Sequence, residues 1–146
     1  MAADVRVRPA RADERVAVLG VLDAAMLETD AEVIAERIAD GRVLVAVAGG
    51  PGDGTEDDTS AEASPERVVG AIEVSSDRGD AGGHVEAIAV RRRRRGRGIG
   101  TALVEAAAAR WRPLSADFDD AVRPFYVRVG FEIRDAGDGR YRGRLD

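Results

Sequence analysis

The chain has 146 residues, of which 45% are hydrophobic and 34% are charged, and its formal net charge is −5 at pH 7. This length supports one domain with a core of its own and is too short for two full-sized domains. Cysteine is absent and His84 is the one histidine, which excludes disulfides, thiolate catalysis and a multi-histidine metal site. We therefore expect a single domain over residues 1–146 that binds no metal.

The sequence contains no apolar stretch near the roughly 20 residues that a membrane span requires, and its first residues mix acids with arginines. We therefore expect a cytoplasmic protein that does not bind membranes. All 22 basic residues are arginine. This bias indicates either a GC-rich genome or a salt-adapted cytoplasm, and the many aspartates favour a halophile with a haloarchaeal-like composition.

The first elements are a strand and a helix. Residues 4–9 alternate as a short strand does and stop at Pro9. Residues 14–27 then predict a helix, with Asp13 as its N-terminal cap. Its apolar side chains recur at helical spacing: Val16, Leu19, Leu22 and Met26.

A second helix is predicted over residues 30–40, ending at Gly41, and residues 43–48 form the next strand. The buried side chains of that helix are Val33, Ile34 and Ile38. Residues 49–66 contain many acids and turn formers, which predicts a flexible acidic loop. We interpret this loop as a solvated connection, and the alternative is an acidic gate for a cationic substrate.

Residues 67–75 and 83–90 are rich in β-branched side chains and predict two strands of a central sheet. A helix is predicted over residues 98–112 and ends before Pro113. One side of it carries Leu103, Val104, Ala107 and Trp111.

The last part of the chain predicts a strand over residues 113–118 and a helix that begins at Asp119 or Asp120 and stops at Gly130. Two strands then close the sheet, over residues 131–135 and 140–146. This order predicts an α/β (α+β) fold, with a single mixed, mostly antiparallel sheet of six to seven strands and helices on both faces.

Residues 91–95 are five consecutive arginines, and glycines follow at alternate positions, Gly96, Gly98 and Gly100. A strand that ends in glycines and leads into a helix collects backbone N–H groups and the positive end of the helix dipole, which is an anion site. The spacing fits neither GxGxxG nor a P-loop. Because the remainder of the chain is strongly acidic and aromatic residues make up 4%, we expect one compact anion here and no nucleic acid.

Two motifs resemble signatures of the GNAT superfamily of N-acyltransferases. Arg95, Gly98 and Gly100 match its acetyl-CoA signature, Arg/Gln-x-x-Gly-x-Gly/Ala, and FYVRVGF at residues 125–131 resembles its later aromatic-Tyr motif ahead of Gly-Phe. The two motifs are about 25 residues apart and occur in a compatible order of strands and helices. The resemblance extends from Val5 onward.

The resemblance implies a GNAT-like acyltransferase fold that uses acetyl-CoA as acetyl donor. The pyrophosphate would lie on the amides of residues 95–101 and the pantetheine beside the strand at residues 88–90. The implied cofactor-binding residues are Ile88, Ala89, Val90, Arg95, Gly96, Arg97, Gly98, Ile99, Gly100, Thr101, Asp119 and Phe125. Relatives often carry Asn where Asp119 stands, and Pro124 requires the last helix to begin late or irregularly.

With no cysteine, direct attack of a primary amine on the thioester in a ternary complex is the simplest scheme. The resemblance implies His84 as general base, because several family members carry a glutamate there, and imidazoles titrate near neutral pH. Strand alternation predicts Glu86 on the same face, roughly 7 Å along, and Glu73 is a further candidate. The alternative for His84 is an ordinary surface histidine.

Tyr126 matches the tyrosine that protonates the departing thiolate in many family members, and the alternative is core packing beside Phe125. The expected partner is a small-molecule or peptide amine, for which the sequence carries no motif, and a homodimer stays open. The competing function is a non-catalytic module that binds or senses acyl-CoA.

Overall fold

A computed structural model describes residues 5–24, 30–49, 67–76 and 82–146 of the protein. The strands in these ranges are β1 (Val5–Pro9), β2 (Val43–Ala48), β3 (Arg67–Ser76), β4 (Gly83–Val90), β5 (Leu114–Asp119), β6 (Glu132–Gly137) and β7 (Arg140–Leu145). The helices are α1 (Arg15–Ala24), α2 (Ala31–Ala39), α3 (Ile99–Arg110) and α4 (Arg123–Val129). None of the helices in these ranges combines the length and apolarity needed to cross a membrane.

The described strands form one sheet in the order β1-β2-β3-β4-β5-β7-β6. Neighbouring strands are antiparallel except for β4 and β5, which are parallel and are connected through α3. A parallel pair requires such a crossover, because both strands must run in the same direction. The predicted mixed, mostly antiparallel sheet is confirmed.

Helices cover both faces of the sheet. Leu44 and Ile72 pack with Leu103 of α3 in one buried cluster, whereas Val43 and Val45 belong to a second cluster with α1 and α2. All six residues of β2 are buried, because helices cover the strand on both faces. A strand in this position carries apolar side chains at every residue. The predicted coverage of both faces is therefore confirmed.

The predicted buried stripe of α1 is partly wrong. Leu22 is buried, but Val16 is 75% exposed, and Val18 and Val21 form the rest of the buried face. A helix has 3.6 residues per turn, so residues spaced three apart lie progressively further around it. The Val16 side chain therefore points away from the core when Leu22 points into it. Leu19 is half-buried, and Met26 lies outside the described residues.

The predicted cap of α1 is wrong. Asp13 lies inside a short 3-10 turn, Ala12–Glu14, that precedes α1 and has Arg11 at its N-cap position. The Glu14 carboxylate accepts hydrogen bonds from the Arg11 amide at 2.8 Å and from Arg8 of β1 at 2.9 Å and 2.7 Å. These contacts stabilise the 3-10 turn that directly precedes α1.

The prediction for α2 is confirmed except for the burial of Val33. The Asp30 side chain accepts from the amides of Glu32 and Val33, and Ile34 and Ile38 are buried. Gly41 follows the helix in a left-handed conformation, with φ at 73°. Val33 is half-buried instead of buried. Of the predicted acidic loop, residues 50–66 lie outside the described ranges.

The helix predicted to begin at Asp119 or Asp120 begins later, at Arg123. Asp119 is the last residue of β5, and its carboxylate accepts a hydrogen bond from the Ala121 amide at 3.0 Å, which makes a turn. Pro124 lies in the first turn of α4, where no intrahelical donor is needed. The late start that Pro124 required is confirmed, and Gly130 ends the helix as predicted.

Candidate active site

The strands β4 and β5 separate partway along the sheet. They pair through Gly83–Val85 and residues 114–116, after which β5 continues its pairing with β7. Beyond Val85, the side of β4 that faces β5 therefore has no strand partner in the described sheet. This part of β4 leads directly to the start of α3.

A β-bulge lies at the point of separation. Ala87 lies opposite Glu73 and Val85 lies opposite Val74, so Glu86 is an extra residue in β4. A bulge twists a strand and redirects the side chains around it. Accordingly, Val85 packs in the cluster with α3, while Ala87 packs in the cluster with α1 and α2.

A groove of about 710 Å³ lies between the end of β4, the start of α3 and α4. Ten of the twelve predicted cofactor residues line it: Ile88, Ala89, Val90, Arg95, Gly96, Gly98, Ile99, Gly100, Thr101 and Phe125. The sequence motifs therefore meet in one cavity, although they come from three separate elements.

The N-terminus of α3 opens into this groove. Gly98 is the N-cap residue, with φ at 85°, and its carbonyl accepts the first helical hydrogen bond from the Ala102 amide at 3.0 Å. The amides of residues 99–101 come before that bond and have no acceptor within α3. A Cβ at Gly96 or Gly98 would meet no atom within 4 Å, so open space adjoins the backbone. These features fit the pyrophosphate of CoA.

Gly100 keeps the groove open. A Cβ built on it would lie 3.2 Å from Cε1 of Phe125 and 3.9 Å from Cγ2 of Val90. A larger side chain would therefore fill the space between the end of β4 and α4.

The five arginines have different neighbours. Nε of Arg91 donates to the Val68 carbonyl at 3.0 Å, and Nε of Arg95 donates to the Val90 carbonyl at 2.9 Å. These two side chains fasten the arginine run to β3 and β4. Arg94 lines the groove, whereas residues 92 and 93 are exposed and do not line it.

Two predicted cofactor residues have side chains outside the groove. Arg97 lines a separate cavity of about 210 Å³ with Val5 and Val7 of β1 and with Glu105. The Asp119 carboxylate forms the turn before α4.

Tyr126 lies in an aromatic cluster beside the groove. Its ring stacks on Phe118 at 4.2 Å and meets Phe125 and Phe131 edge-on, each at 5.0 Å. Burial raises the pKa of Tyr126 to about 12, so its hydroxyl is protonated at neutral pH. The ring is held by packing and can present a hydrogen-bond donor.

His84 contacts two side chains of β5. Its Nδ1 lies 2.7 Å from Oγ of Ser115, and its Nε2 lies 3.6 Å from Oδ2 of Asp117. Arg142 donates two hydrogen bonds to the Asp117 carboxylate, at 2.8 Å and 3.2 Å, and these bonds lower the pKa of Asp117. Ser115 and Asp117 alternate with the β5 residues buried against α3, so His84 lies on the opposite face of the sheet from Tyr126.

The two candidate glutamates lie near His84 along the sheet. Ser75 lies opposite His84 in the register, and its hydroxyl donates to Glu86 at 2.6 Å. Glu73 is buried, and its carboxylate accepts a hydrogen bond from Arg37 of α2. The structure thus brings His84 and Glu86 to the same serine, and it holds Glu73 in an ion pair.

The model of the acetyltransferase (GNAT) domain family matches residues 39–133, more than half of the chain. The chain belongs to the GNAT acetyltransferase family. This match confirms the predicted family, acetyl transfer as its general reaction and acetyl-CoA as its donor. No curated relative matches the sequence.

Solved structures share the fold of this GNAT chain. Ard1 from Thermoplasma volcanium has a TM-score of 0.70 at 16% identity, with 97% of this chain and 95% of Ard1 covered. Rv2747 from Mycobacterium tuberculosis, in complex with CoA and NLQ, has a TM-score of 0.69 at 17% identity, with 96% and 98% covered. A GCN5-related N-acetyltransferase from Kribbella flavida has a TM-score of 0.65 at 20% identity, and 89% of this chain covers 33% of that one. This chain therefore spans a third of the Kribbella protein's length.

Sequence reasoning missed two groove residues of this GNAT chain, Val122 and Arg128, and it did not single out Arg94 within the arginine run that it expected to bind an anion. A signal for two of them was available, because Val122, Phe125 and Arg128 recur every three residues and therefore share one side of the α4 segment. For Arg94 no signal distinguished it from the adjacent arginines, since the folding of the run decides which guanidinium faces the groove.

Proposed function

We propose that this GNAT chain transfers the acetyl group of acetyl-CoA to a primary amine by direct attack within a ternary complex. The observation that carries the proposal is the separation of β4 from β5 directly ahead of the glycine-capped N-terminus of α3. The exposed edge of β4 and the three amides at residues 99–101 together offer an extended site for a long ligand with an anionic end.

The cofactor would be held along that line. The amides at the start of α3 would bind the pyrophosphate, and the β4 edge at residues 88–90 would hold the pantetheine. Arg94 and Arg128 both line the groove. They would bind the remaining phosphate, since guanidinium groups pair well with phosphate oxygens.

When bound, acetyl-CoA supplies an acetyl group activated as a thioester. The attacking amine needs to be neutral, and His84 is the proposed group that accepts its proton, directly or through a water. If Nδ1 donates to Ser115, the lone pair lies on Nε2, which is the proton acceptor. The resulting imidazolium would lie beside the Asp117 carboxylate, whose Oδ2 is 3.6 Å from Nε2. Arg142 keeps that carboxylate ionised.

Glu86 is the second proposed base. Its carboxylate accepts a hydrogen bond from Ser75, which lies directly opposite His84 on the neighbouring strand, so Glu86 is close to His84. Glu73 is less suited to accept a proton, because Arg37 already binds its carboxylate.

Tyr126 is proposed to stabilise the departing thiolate. With the pKa of Tyr126 at about 12 and a model thiol near 8.5, full proton transfer would be uphill by about 5 kcal/mol. We therefore infer that the Tyr126 hydroxyl donates a hydrogen bond to the thiolate and that solvent supplies the final proton.

The acceptor of this chain is proposed to be a small-molecule or peptide amine. The single-domain boundary, the cytoplasmic location, the halophilic source and the homodimer stay predictions.

The proposal is tested by measuring CoA thiol release from acetyl-CoA with a panel of primary amines, including amino acids, polyamines and peptides. Direct attack predicts that thiol release depends on the amine. It also predicts intersecting lines in double-reciprocal plots of the initial rate when both substrates are varied. Parallel lines would indicate a covalent intermediate and contradict direct attack. Tight acetyl-CoA binding in calorimetry without amine-dependent release would favour the sensing module.

A further inference from the structure

The sheet face that carries His84 continues into a row of charged side chains. Asp117 of β5 lies opposite Arg142 of β7, and Arg142 lies opposite Arg134 of β6. Arg140 stands two residues before Arg142 on the same strand and therefore points to the same face. These four side chains line an open cavity of about 430 Å³.

The cavity holds more positive than negative charge that is available to a ligand. Arg142 already binds Asp117, and the Asp135 carboxylate accepts a hydrogen bond from the Gly137 amide at 2.8 Å. In the part of the chain that the structure describes, neither Arg134 nor Arg140 forms an ion pair with a carboxylate.

Asp117 offsets only part of the positive charge in this arrangement, so a further anion would stabilise it. Arg134 and Arg142 are direct cross-strand neighbours, and like charges in that position destabilise a sheet. An anion between the guanidinium groups would remove the repulsion and gain charge-assisted hydrogen bonds, which guanidinium forms best with carboxylate or phosphate.

The cavity adjoins the candidate base. Asp117 lies at its border and is also 3.6 Å from Nε2 of His84. The row therefore begins where β4 and β5 separate and extends across β5 and β7, away from the β4 edge that is proposed to hold the pantetheine. An anion bound there would be part of a molecule whose other end can reach that separation.

We propose that the arginines of this cavity select the acceptor, and that the acceptor is an amine that carries a carboxylate or phosphate several bonds from its nitrogen. The inference rests on the proposed acetyl transfer. The strands β4 and β6 are three strand spacings apart, or about 14 Å. An extended arginine side chain covers part of that distance, and the acceptor spans the rest. In an α-amino acid only two bonds separate the nitrogen from the carboxyl carbon, which is too short for this span.

The test uses two matched pairs of acceptors, in which one member has a carboxylate and the other an amide. One pair is 5-aminovalerate with 5-aminovaleramide, and the other is alanyl-glutamyl-alanine amide with alanyl-glutaminyl-alanine amide. The first pair represents a small molecule and the second a peptide N-terminus. CoA release gives kcat/KM for each acceptor with the wild type, Arg134→Gln, Arg140→Gln and the double variant.

We expect the acid member of at least one pair to exceed its amide by tenfold or more in kcat/KM. The double variant should reduce that preference to less than twofold, mainly by raising KM for the acid. Arg144→Gln is the matched control: Arg144 lies on β7, donates to Asp146 and does not line the cavity. It should keep the preference.

Equal kcat/KM for both members of each pair would overturn the inference and leave amine acetylation standing. A preference that survives in the double variant would also overturn it, because other groups would then bind the acid. Transfer only to neutral or cationic amines of the wider panel rejects the inference alone. No transfer to any amine rejects the inference together with the proposed function.

Discussion

Gly100→Val tests the cofactor groove with little effect on the backbone. Gly100 lies in the first turn of α3 and has an ordinary helical φ, so valine requires no backbone strain. Its Cβ would lie 3.2 Å from Phe125, and its methyl groups would extend further into the groove. Overpacking of this kind typically lowers the free energy of unfolding by about 1–3 kcal/mol. This is a fraction of the roughly 5–15 kcal/mol that stabilises a domain, so we expect the variant to fold.

Acetyl-CoA affinity should fall at least a hundredfold in this variant, equivalent to about 2.8 kcal/mol. The reason is that the valine methyls occupy the approach to the α3 amides. Hydrogen bonds from such amides to a charged group contribute about 1.5–3 kcal/mol each, so the loss of one or two accounts for the decrease.

The assay is calorimetric titration with acetyl-CoA, accompanied by thermal unfolding without ligand. Gly100→Ala is the matched control, because the motif that this segment resembles accepts alanine at that position, and we expect its affinity to stay within fivefold of the wild type. A folded Gly100→Val protein that binds acetyl-CoA within threefold of the wild type would refute the assigned groove.

His84→Ala should lower turnover by about 10²–10⁴-fold, the usual contribution of a general base, and leave acetyl-CoA affinity unchanged. Tyr126→Phe should slow turnover and keep stability at neutral pH. In the wild type the unfolded tyrosine ionises near pH 10 and the folded one near 12, so the free energy of unfolding should fall by about 2–3 kcal/mol as pH rises through that window. Tyr126→Phe should lose this alkaline decrease, and Tyr141→Phe should keep it. Arg94→Gln should weaken acetyl-CoA binding up to about fivefold, as exposed pairs contribute about 0–1 kcal/mol, and Arg93→Gln should not.

Each of these predictions has an outcome that contradicts it. An unaltered rate and pH profile in His84→Ala would eliminate the imidazole as base and favour Glu86 or Glu73. Full activity in Tyr126→Phe would leave the ring with packing alone. An acetyl-CoA affinity of Arg94→Gln equal to that of the wild type would show that Arg94 does not contact the phosphate.

Local patterns in the sequence predicted most elements well. The bounds of β2 and β4 are as predicted, because a run of β-branched residues between turn formers is informative by itself. The start of α1 and the start of α4 were harder, because side chains outside the helix decide them. Glu14 binds both its own turn and β1, and Asp119 ends a strand that its neighbours in the sheet extend.

The sequence by itself determined the local backbone geometry at the start of α3, where the anion site is proposed. Its glycines, its helix N-terminus and its preceding strand are contiguous in the chain, so their geometry follows from short-range backbone preferences. Ten of the twelve predicted cofactor residues line one groove for this reason.

Tertiary structure alone decided which strands separate and which charges meet. The bulge at Glu86 depends on the register with β3, and the partners of His84 are about thirty residues away on a parallel strand. The arginines of β6 and β7 face the same cavity as Asp117 only because three strands align in one sheet. Register between distant strands is fixed by packing of the whole core, and no short stretch of sequence contains that information.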